Sequence, residues 1–294
     1  MFAGQAFSET ELLRPLTFLE SYFFESTTSS LAILQGDSQE DYGTCVTLEI
    51  HDADFFGIFD GHSDGQECAK YIAAELPHQL EQLLPYDPEK LNADTITDAI
   101  TKAVKRIEAE TVGMAGGTTA TCALKIGDEV YVINIGDSRT TLVKKEEVYQ
   151  LSEDADPSDE RFARAVRKMG STVKIDTSCP GIEVHRVDGQ LAVARDIGYD
   201  FVSAQPKITR ISLNGEHNPG AGLISYQVGD YLVLATDGFW NMATNDEVAA
   251  AIRRMSLEGQ SVERMSSSLV KRAGATWEQA DYEPDDISVL VVQL

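Results

Sequence analysis

Residues 55–62 read FFGIFDGH, an apolar run that ends in an aspartate followed by a glycine. The aromatic residues of this run are typical of a strand. Asp60 therefore stands at a strand end, where rigid backbone holds its carboxylate within reach of solvent. His62 follows two positions later, and a histidine titrates near neutral pH, at about 6.5 in model peptides. The stretch predicts a strand that brings a carboxylate and a proton donor to one site.

Three further acidic sites share this arrangement of a carboxylate beside an apolar strand and a small or turn residue. They are Glu40-Asp41, Asp237-Gly238 and Asp285-Asp286. Each alone is also typical of an ordinary turn, because aspartate caps turns with its own side chain. Together they suggest a cation site, since hard carboxylate oxygens suit Mg²⁺ or Mn²⁺.

Hairpin-linked strands dominate the rest of the pattern. Strands are predicted at residues 44–50, 55–59, 118–126, 129–135, 139–143, 148–151, 231–235 and 287–292. Gly127-Asp128, Asp188-Gly189 and Gly229-Asp230 predict hairpin turns. This order differs from the regular strand–helix alternation of a parallel sheet, so we predict an α+β fold built on an antiparallel β-sandwich of two sheets.

Helices are predicted at 95–110, 159–169, 244–255 and 262–273, with a capping box of Thr244 and Glu247. Cys68, Ile72 and Leu76 share one face of another helix, which Pro77 should interrupt or end. We predict that residues 1–30 form a helical or irregular extension packed on or beside the domain. Residues 31–294 are predicted to form one catalytic domain.

Acidic residues outnumber basic ones, 48 to 24, which gives a formal net charge of −24. This charge repels nucleic acids and anionic membranes, so neither is an expected partner. The four cysteines lack C-x-x-C spacing and are expected to be buried free thiols. No signal peptide or membrane-spanning stretch is recognised, so we expect the protein in the reducing cytosol or nucleus. We also expect a monomer.

Six motifs in order make the sequence resemble the type 2C, metal-dependent family of serine/threonine protein phosphatases. They are Glu40-Asp41, FGIFDGH at 56–62, GGTTA at 116–120, GDSR at 136–139, LATDGFW at 234–240 and DDISV at 285–289. The resemblance covers residues 34–293 and implies a β-sandwich flanked by pairs of α-helices, a four-layer αββα fold. It also implies hydrolysis of phosphoserine and phosphothreonine in phosphoprotein substrates.

The resemblance further implies two Mn²⁺ or Mg²⁺ ions, with a weaker third. By position, Asp60 would bridge both ions and Gly61 would offer its carbonyl. Asp237 and Asp285 would hold one ion, and Glu40 with Asp41 would support the other directly or through water. Asp137 would bind the third ion. The ions would activate a water for in-line attack on phosphorus. His62 would protonate the departing oxygen.

One departure from the family pattern concerns substrate binding. Family members usually carry a phosphate-gripping arginine four residues before the glutamate, where this chain has Gly36. Arg139 or Arg195 could replace it, and the substrate-binding residues stay unassigned. Two alternative functions remain open, a catalytically weak or silent pseudophosphatase that acts as a scaffold or regulator, and a hydrolase of small phosphate esters.

Overall fold

The computed structural model describes residues 19–23, 28–36, 38–177, 183–213, 224–280 and 285–294. Within these residues the strands are β1 Leu19–Phe23, β2 Ser29–Leu34, β3 Asp41–Leu48, β4 Ala53–His62, β5 Gly117–Thr118, β6 Ala120–Ile126, β7 Glu129–Ile135, β8 Arg139–Val143, β9 Val148–Gln150, β10 Val173–Asp176, β11 Val184–Val187, β12 Lys207–Leu213, β13 Ile224–Tyr226, β14 Tyr231–Ala235 and β15 Ile287–Gln293. The helices are α1 Gln66–Leu83, α2 Ala93–Glu110, α3 Glu160–Lys168, α4 Asp237–Trp240, α5 Asn245–Leu257 and α6 Val262–Ala280.

Two large sheets form the centre of the fold. The first has the strand order β1-β2-β15-β14-β8-β9, and the second has the order β13-β12-β7-β6-β4-β3, with β5 paired to β4. Their strands pair antiparallel, except that β12 and β13 are parallel. Leu31, Ile58 and Leu290 belong to the apolar layer between the sheets and are fully buried.

Helices cover the outer face of each sheet. Helices α1 and α2 close an apolar cluster on the second sheet, and α4, α5 and α6 close another on the first. A smaller cluster lies under α3 and β11. The four-layer αββα sandwich predicted from the sequence is confirmed, because each sheet has one face for its partner sheet and one for helices.

Helix α1 continues through Pro77, so the prediction that this proline interrupts or ends the helix is wrong. A proline costs a helix one backbone hydrogen bond. Leu76, Pro77 and Leu80 are all buried against the second sheet, and this burial offsets the lost bond.

The predicted turns have different outcomes. Gly127 joins β6 to β7 with a positive φ of 54°, and Asp188 and Gly189 also have positive φ in a tight turn after β11. The hairpin predicted at Gly229-Asp230 is wrong, because β13 pairs with β12 whereas β14 pairs with β8 and β15. That turn carries the chain from one sheet to the other.

Strand β1 lies in the segment predicted to be helical or irregular. It pairs antiparallel with β2, so that prediction is wrong for Leu19–Phe23 and for the start of β2. Residues 1–18 lie outside the described part of the chain, and the division into 1–30 and 31–294 stays a prediction.

Three further predictions concern the cap of α5, the cysteines and membrane-spanning helices. Thr244 and Glu247 form the predicted capping box at the start of α5. Cys45, Cys68 and Cys122 are buried free thiols, as expected, whereas Cys179 lies outside the described residues. Among the described helices, none is long and apolar enough to cross a bilayer.

Leu290 tests how far the layer between the sheets stabilises the fold. Its side chain is fully buried, and truncation of a buried leucine to alanine typically costs about 2–5 kcal/mol. We expect Leu290→Ala to lower the free energy of unfolding by that amount in urea denaturation. Leu257, which is 91% exposed, is the matched control, and equal stability of Leu290→Ala and Leu257→Ala would contradict this view of the core.

Candidate active site

Strand register brings the first two predicted carboxylates face to face. Asp41 begins β3, Asp60 lies near the end of β4, and the two are direct partners across the antiparallel pair. Directly opposed residues in such a pair have their Cβ atoms about 4.5–5.5 Å apart. The second sheet therefore contributes both acids at one edge.

The first sheet contributes the other acids at the same end of the sandwich. Ala235 at the end of β14 pairs with Val289 near the start of β15, and with Arg139 at the start of β8. Asp237, Asp285 and Asp137 lie just beyond these strand ends, so antiparallel pairing places them together. Asp60 interacts electrostatically with each of the other four aspartates, which come from both sheets.

Burial is the main cause of a raised pKa at every one of these aspartates. It raises the pKa of Asp60 well above its ordinary value, and repulsion from the other acids adds to the effect. Asp41 and Asp137 have strongly raised pKa values for the same reasons. Burial and the charge of Asp237 raise the pKa of Asp285 to about 7. The end of the sandwich thus concentrates carboxylates whose ionised forms are disfavoured by burial and by one another.

The donor set fits a hard divalent cation. One oxygen of Asp41, Oδ1, is buried and has no hydrogen-bond partner among the described residues, which is costly unless another group satisfies it. Carboxylates that raise one another's pKa are electrostatically complementary to a cation. Within the described residues, however, no three acidic, histidine or cysteine side chains form a ready metal cage. The neighbouring Asp60 side chain opposes the rise that burial causes in the pKa of Asp237.

Glu40 and Gly61 form a close backbone contact beside these acids. The Gly61 N–H donates to the Glu40 carbonyl at 3.2 Å, and a Cβ at Gly61 would lie 2.7 Å from that oxygen. The Glu40 carboxylate accepts from the Gly65 N–H at 3.0 Å. Burial raises the pKa of Glu40, and the Gly65 bond opposes the rise. Glu40 is thus held near the site by its side chain and its backbone.

Asp286 ties β15 to the connection between β2 and β3. Its buried carboxylate accepts from the Gly36 N–H, from the Glu40 N–H at 2.6 Å and from the Ser38 hydroxyl at 3.0 Å. The backbone at Gly36, where the family's arginine is absent, is therefore bound to an acid. Sequence analysis did not anticipate this role for Asp286.

The two arginines suggested as replacements differ in availability. Arg139 makes a bidentate ion pair with Asp154, donates to Asn245 at 3.0 Å and stacks on Trp240. Its guanidinium is therefore committed to structure. Arg195 is half-buried over the ring of Phe162 and has no ion pair to another described residue within 4.0 Å.

His62 meets an acid that the sequence analysis missed. Its Nε2 lies 2.7 Å from Oδ2 of Asp196, which is fully buried, whereas the His62 side chain is 22% exposed. The atoms have the distance of an ion pair without the aligned geometry of a hydrogen bond, and neither has a hydrogen-bond partner among the described residues. The only signal in the sequence is an aspartate following the apolar run 191–194.

The sequence model of the family described as "Protein phosphatase 2C" matches residues 37–277. The chain belongs to the protein phosphatase 2C family. The family predicted from the six motifs is thereby confirmed, and with it the prediction of a protein serine/threonine phosphatase.

Relatives in this family resemble the chain over most of its length. A probable protein phosphatase 2C 58 of Arabidopsis thaliana is 29% identical and covers 93% of this chain and 90% of the relative. A probable protein phosphatase 2C 20 of the same plant is 31% identical, and the match covers 74% of this chain and 71% of the relative. A crystal structure of serine-threonine phosphatase 2C from Toxoplasma gondii shares the fold, with a TM-score of 0.72, 19% identity and coverage of 90% and 95%.

The raised carboxylate pKa values predict how the stability of metal-free protein depends on pH. The folded-state pKa of Asp285, about 7, exceeds its ordinary value of 3.8, so its contribution to stability is complete below pH 3.8 and is lost as the pH rises through 7. In EDTA we expect the melting temperature to fall between pH 6 and pH 8, and Mn²⁺ at pH 8 to raise it again. A melting temperature that is constant or rises with pH in EDTA would contradict this.

Truncation of Asp286 should loosen the connection before β3. Asp286→Ala leaves the Gly36 and Glu40 N–H groups without their acceptor, and an unsatisfied buried group costs about 1–3 kcal/mol. We expect a loss of that size in urea denaturation with EDTA present. Asp200→Ala removes an exposed aspartate and should change stability by less than about 0.5 kcal/mol. Similar stabilities of the two variants would exclude the bracing role of Asp286.

Proposed function

We propose that this chain hydrolyses phosphoserine and phosphothreonine in proteins with the help of two divalent cations. The observation that carries the proposal is the convergence of five aspartates from two sheets at one end of the sandwich, where Asp41 is buried, three are half-buried and Asp285 is exposed. Such a concentration of like charge is unfavourable for folding and needs a compensating function. Membership of a phosphatase family supplies the reaction class.

The cations are assigned by position to the strand-end residues. In this proposal Asp60 and the Gly61 carbonyl would help to hold the two ions. Asp237 and Asp285 would hold one ion, and Glu40 with Asp41 would support the other. Asp137 is the proposed ligand of a weaker third ion. Mn²⁺ or Mg²⁺ bound here would lower the pKa of a water and neutralise phosphoryl oxygens.

The protein's own groups position the substrate and supply a proton. His62 is partly exposed beside the acids, and we assign it the protonation of the departing serine or threonine oxygen. Arg195 is the better candidate for binding the phosphate, because Arg139 is already held by Asp154 and Asn245. Phosphoryl transfer depends on such positioning and charge neutralisation more than on covalent help.

A catalytically weak or silent scaffold is the second candidate. It is favoured by one observation, that the Gly36 position offers a backbone N–H to Asp286 instead of a guanidinium to a phosphate. If Arg195 does not bind phosphate either, the affinity for phosphorylated proteins would be low. The same fold could then serve to bind partners.

Hydrolysis of p-nitrophenyl phosphate tests the proposal directly. We expect turnover with Mn²⁺ that EDTA abolishes, and a loss of at least about 100-fold in kcat for Asp60→Asn, which is typical when one group that stabilises transition-state charge is removed. Asp54→Asn is the matched control, because Asp54 lies on the same strand and binds Thr47.

The outcomes separate the candidates. Turnover without metal would contradict the metal mechanism. Absence of turnover in the wild-type protein would favour the silent scaffold. Faster hydrolysis of small esters than of phosphoserine peptides, compared by kcat/KM, would favour a small-molecule hydrolase.

A further inference from the structure

The segment after residue 194 lies directly against the strand pair that contains His62. His62 and Gly117 are partners where β4 pairs with β5. Beside them, the Thr118 N–H donates to the Ile197 carbonyl at 3.0 Å, and the Ile197 N–H donates back to Thr118 at 3.1 Å. This reciprocal pair fixes the position of Asp196, the preceding residue, relative to the His62 backbone.

Gly117 leaves the space that the Asp196 carboxylate occupies. A Cβ at Gly117 would lie 2.4 Å from Oδ1 and 2.8 Å from Oδ2 of Asp196, far inside van der Waals contact. Gly117 does not have a positive φ, so the constraint is space and not backbone conformation. The glycine of the GGTTA motif therefore admits an acid beneath His62.

Both oxygens of Asp196 are oriented. Oδ1 accepts from the Tyr199 N–H at 3.2 Å, and Oδ2 lies 2.7 Å from Nε2 of His62. The ring of Tyr199 is nearly parallel to the His62 imidazole, with an interplanar angle of 5° and centroids 6.0 Å apart. One short segment thus supplies an acid to the tip of the imidazole and an aromatic ring parallel to it.

The contact with His62 offsets part of the cost of burying the Asp196 carboxylate. Burial disfavours the Asp196 carboxylate and raises its pKa, and the neighbouring imidazole opposes that rise. Since Nε2 is engaged with Asp196, Nδ1 is the nitrogen of His62 that remains available to a substrate oxygen. The ring orientation decides whether Nδ1 reaches that oxygen.

We propose that Asp196 is a positioning residue that holds the His62 imidazole by its Nε2 and directs Nδ1 at the departing oxygen of the phosphorylated residue. The inference rests on the proposed function, in which His62 delivers a proton to that oxygen. Asp196 itself touches neither substrate nor metal. Its effect is therefore confined to the step that needs the proton.

Leaving groups that differ in their need for a proton test this role. Serine alkoxide must be protonated as it departs, whereas nitrophenolate is stable without a proton. With Mn²⁺ we expect Asp196→Ala to lower kcat on a phosphoserine peptide by about 10- to 100-fold, below the roughly 10²- to 10⁴-fold that a general acid contributes. For p-nitrophenyl phosphate, both the KM and the kcat of Asp196→Ala should stay within about 3-fold of the wild-type values, because neither depends on that proton.

Two controls show whether Asp196 acts through His62. Asp196→Ala added to His62→Ala should cause no further loss, because residues that act as one unit are not additive. Asp200→Ala removes an exposed acid from the same segment and should leave both substrates unaffected. Asp196→Asn keeps the side-chain volume and should lose less than Asp196→Ala, and it provides the comparison should the alanine variant fail to fold. Equal losses on both substrates, or a further loss in the double variant, would overturn the proposal.

NMR spectroscopy of the metal-free protein detects the contact between His62 and Asp196 without any enzymatic turnover. In ¹⁵N-histidine-labelled protein, the His62 Nε2 resonance, assigned by its absence in His62→Ala, should shift in Asp196→Ala and Asp196→Asn but not in Asp200→Ala. An unchanged resonance in both Asp196 variants would overturn the proposal. Wild-type protein with no turnover on p-nitrophenyl phosphate would instead count against the proposed function.

Discussion

Mutual repulsion among carboxylates is the constraint on which the rest of this structure depends. Asp237 and Asp285 raise the pKa of Asp60, and Asp237 also raises the pKa of Asp285, so these neighbouring carboxylates oppose one another's ionisation. Folding must overcome this cost with other interactions. These interactions come from the apolar layer between the two sheets and from the two helical layers, which bury nearly every strand that adjoins the acids.

Hydrogen bonds to backbone give the acidic end its order. Asp286 binds the connection before β3, Glu40 binds Gly65, and the Thr236 hydroxyl donates to Asp41 at 3.1 Å. Each bond joins segments that are distant in the chain, so the acidic residues are placed by the whole fold. A site held in this way keeps its geometry when a ligand arrives, which is what catalysis by positioning requires.

The two candidate arginines differ in their availability to a substrate. Position 36 is a glycine that offers only its backbone, and Arg139 is fully engaged in structure. The segment that contains Arg195 and Asp196 instead lies beside His62, and it brings a cation, an acid and the ring of Tyr199.

The sequence by itself determined the strand-rich α+β fold, the identity of the strand-end acids and the family, because periodic apolar runs and short motifs are local properties. Its failures were also local. Burial carried helix α1 through Pro77, and the Gly229-Asp230 turn connects two sheets instead of two paired strands. Only the tertiary structure decided that Asp196 meets His62 and that Asp286 takes the place beside Gly36. These contacts join residues more than 100 positions apart. They depend on strand register and on the space left by a glycine, and local sequence specifies neither.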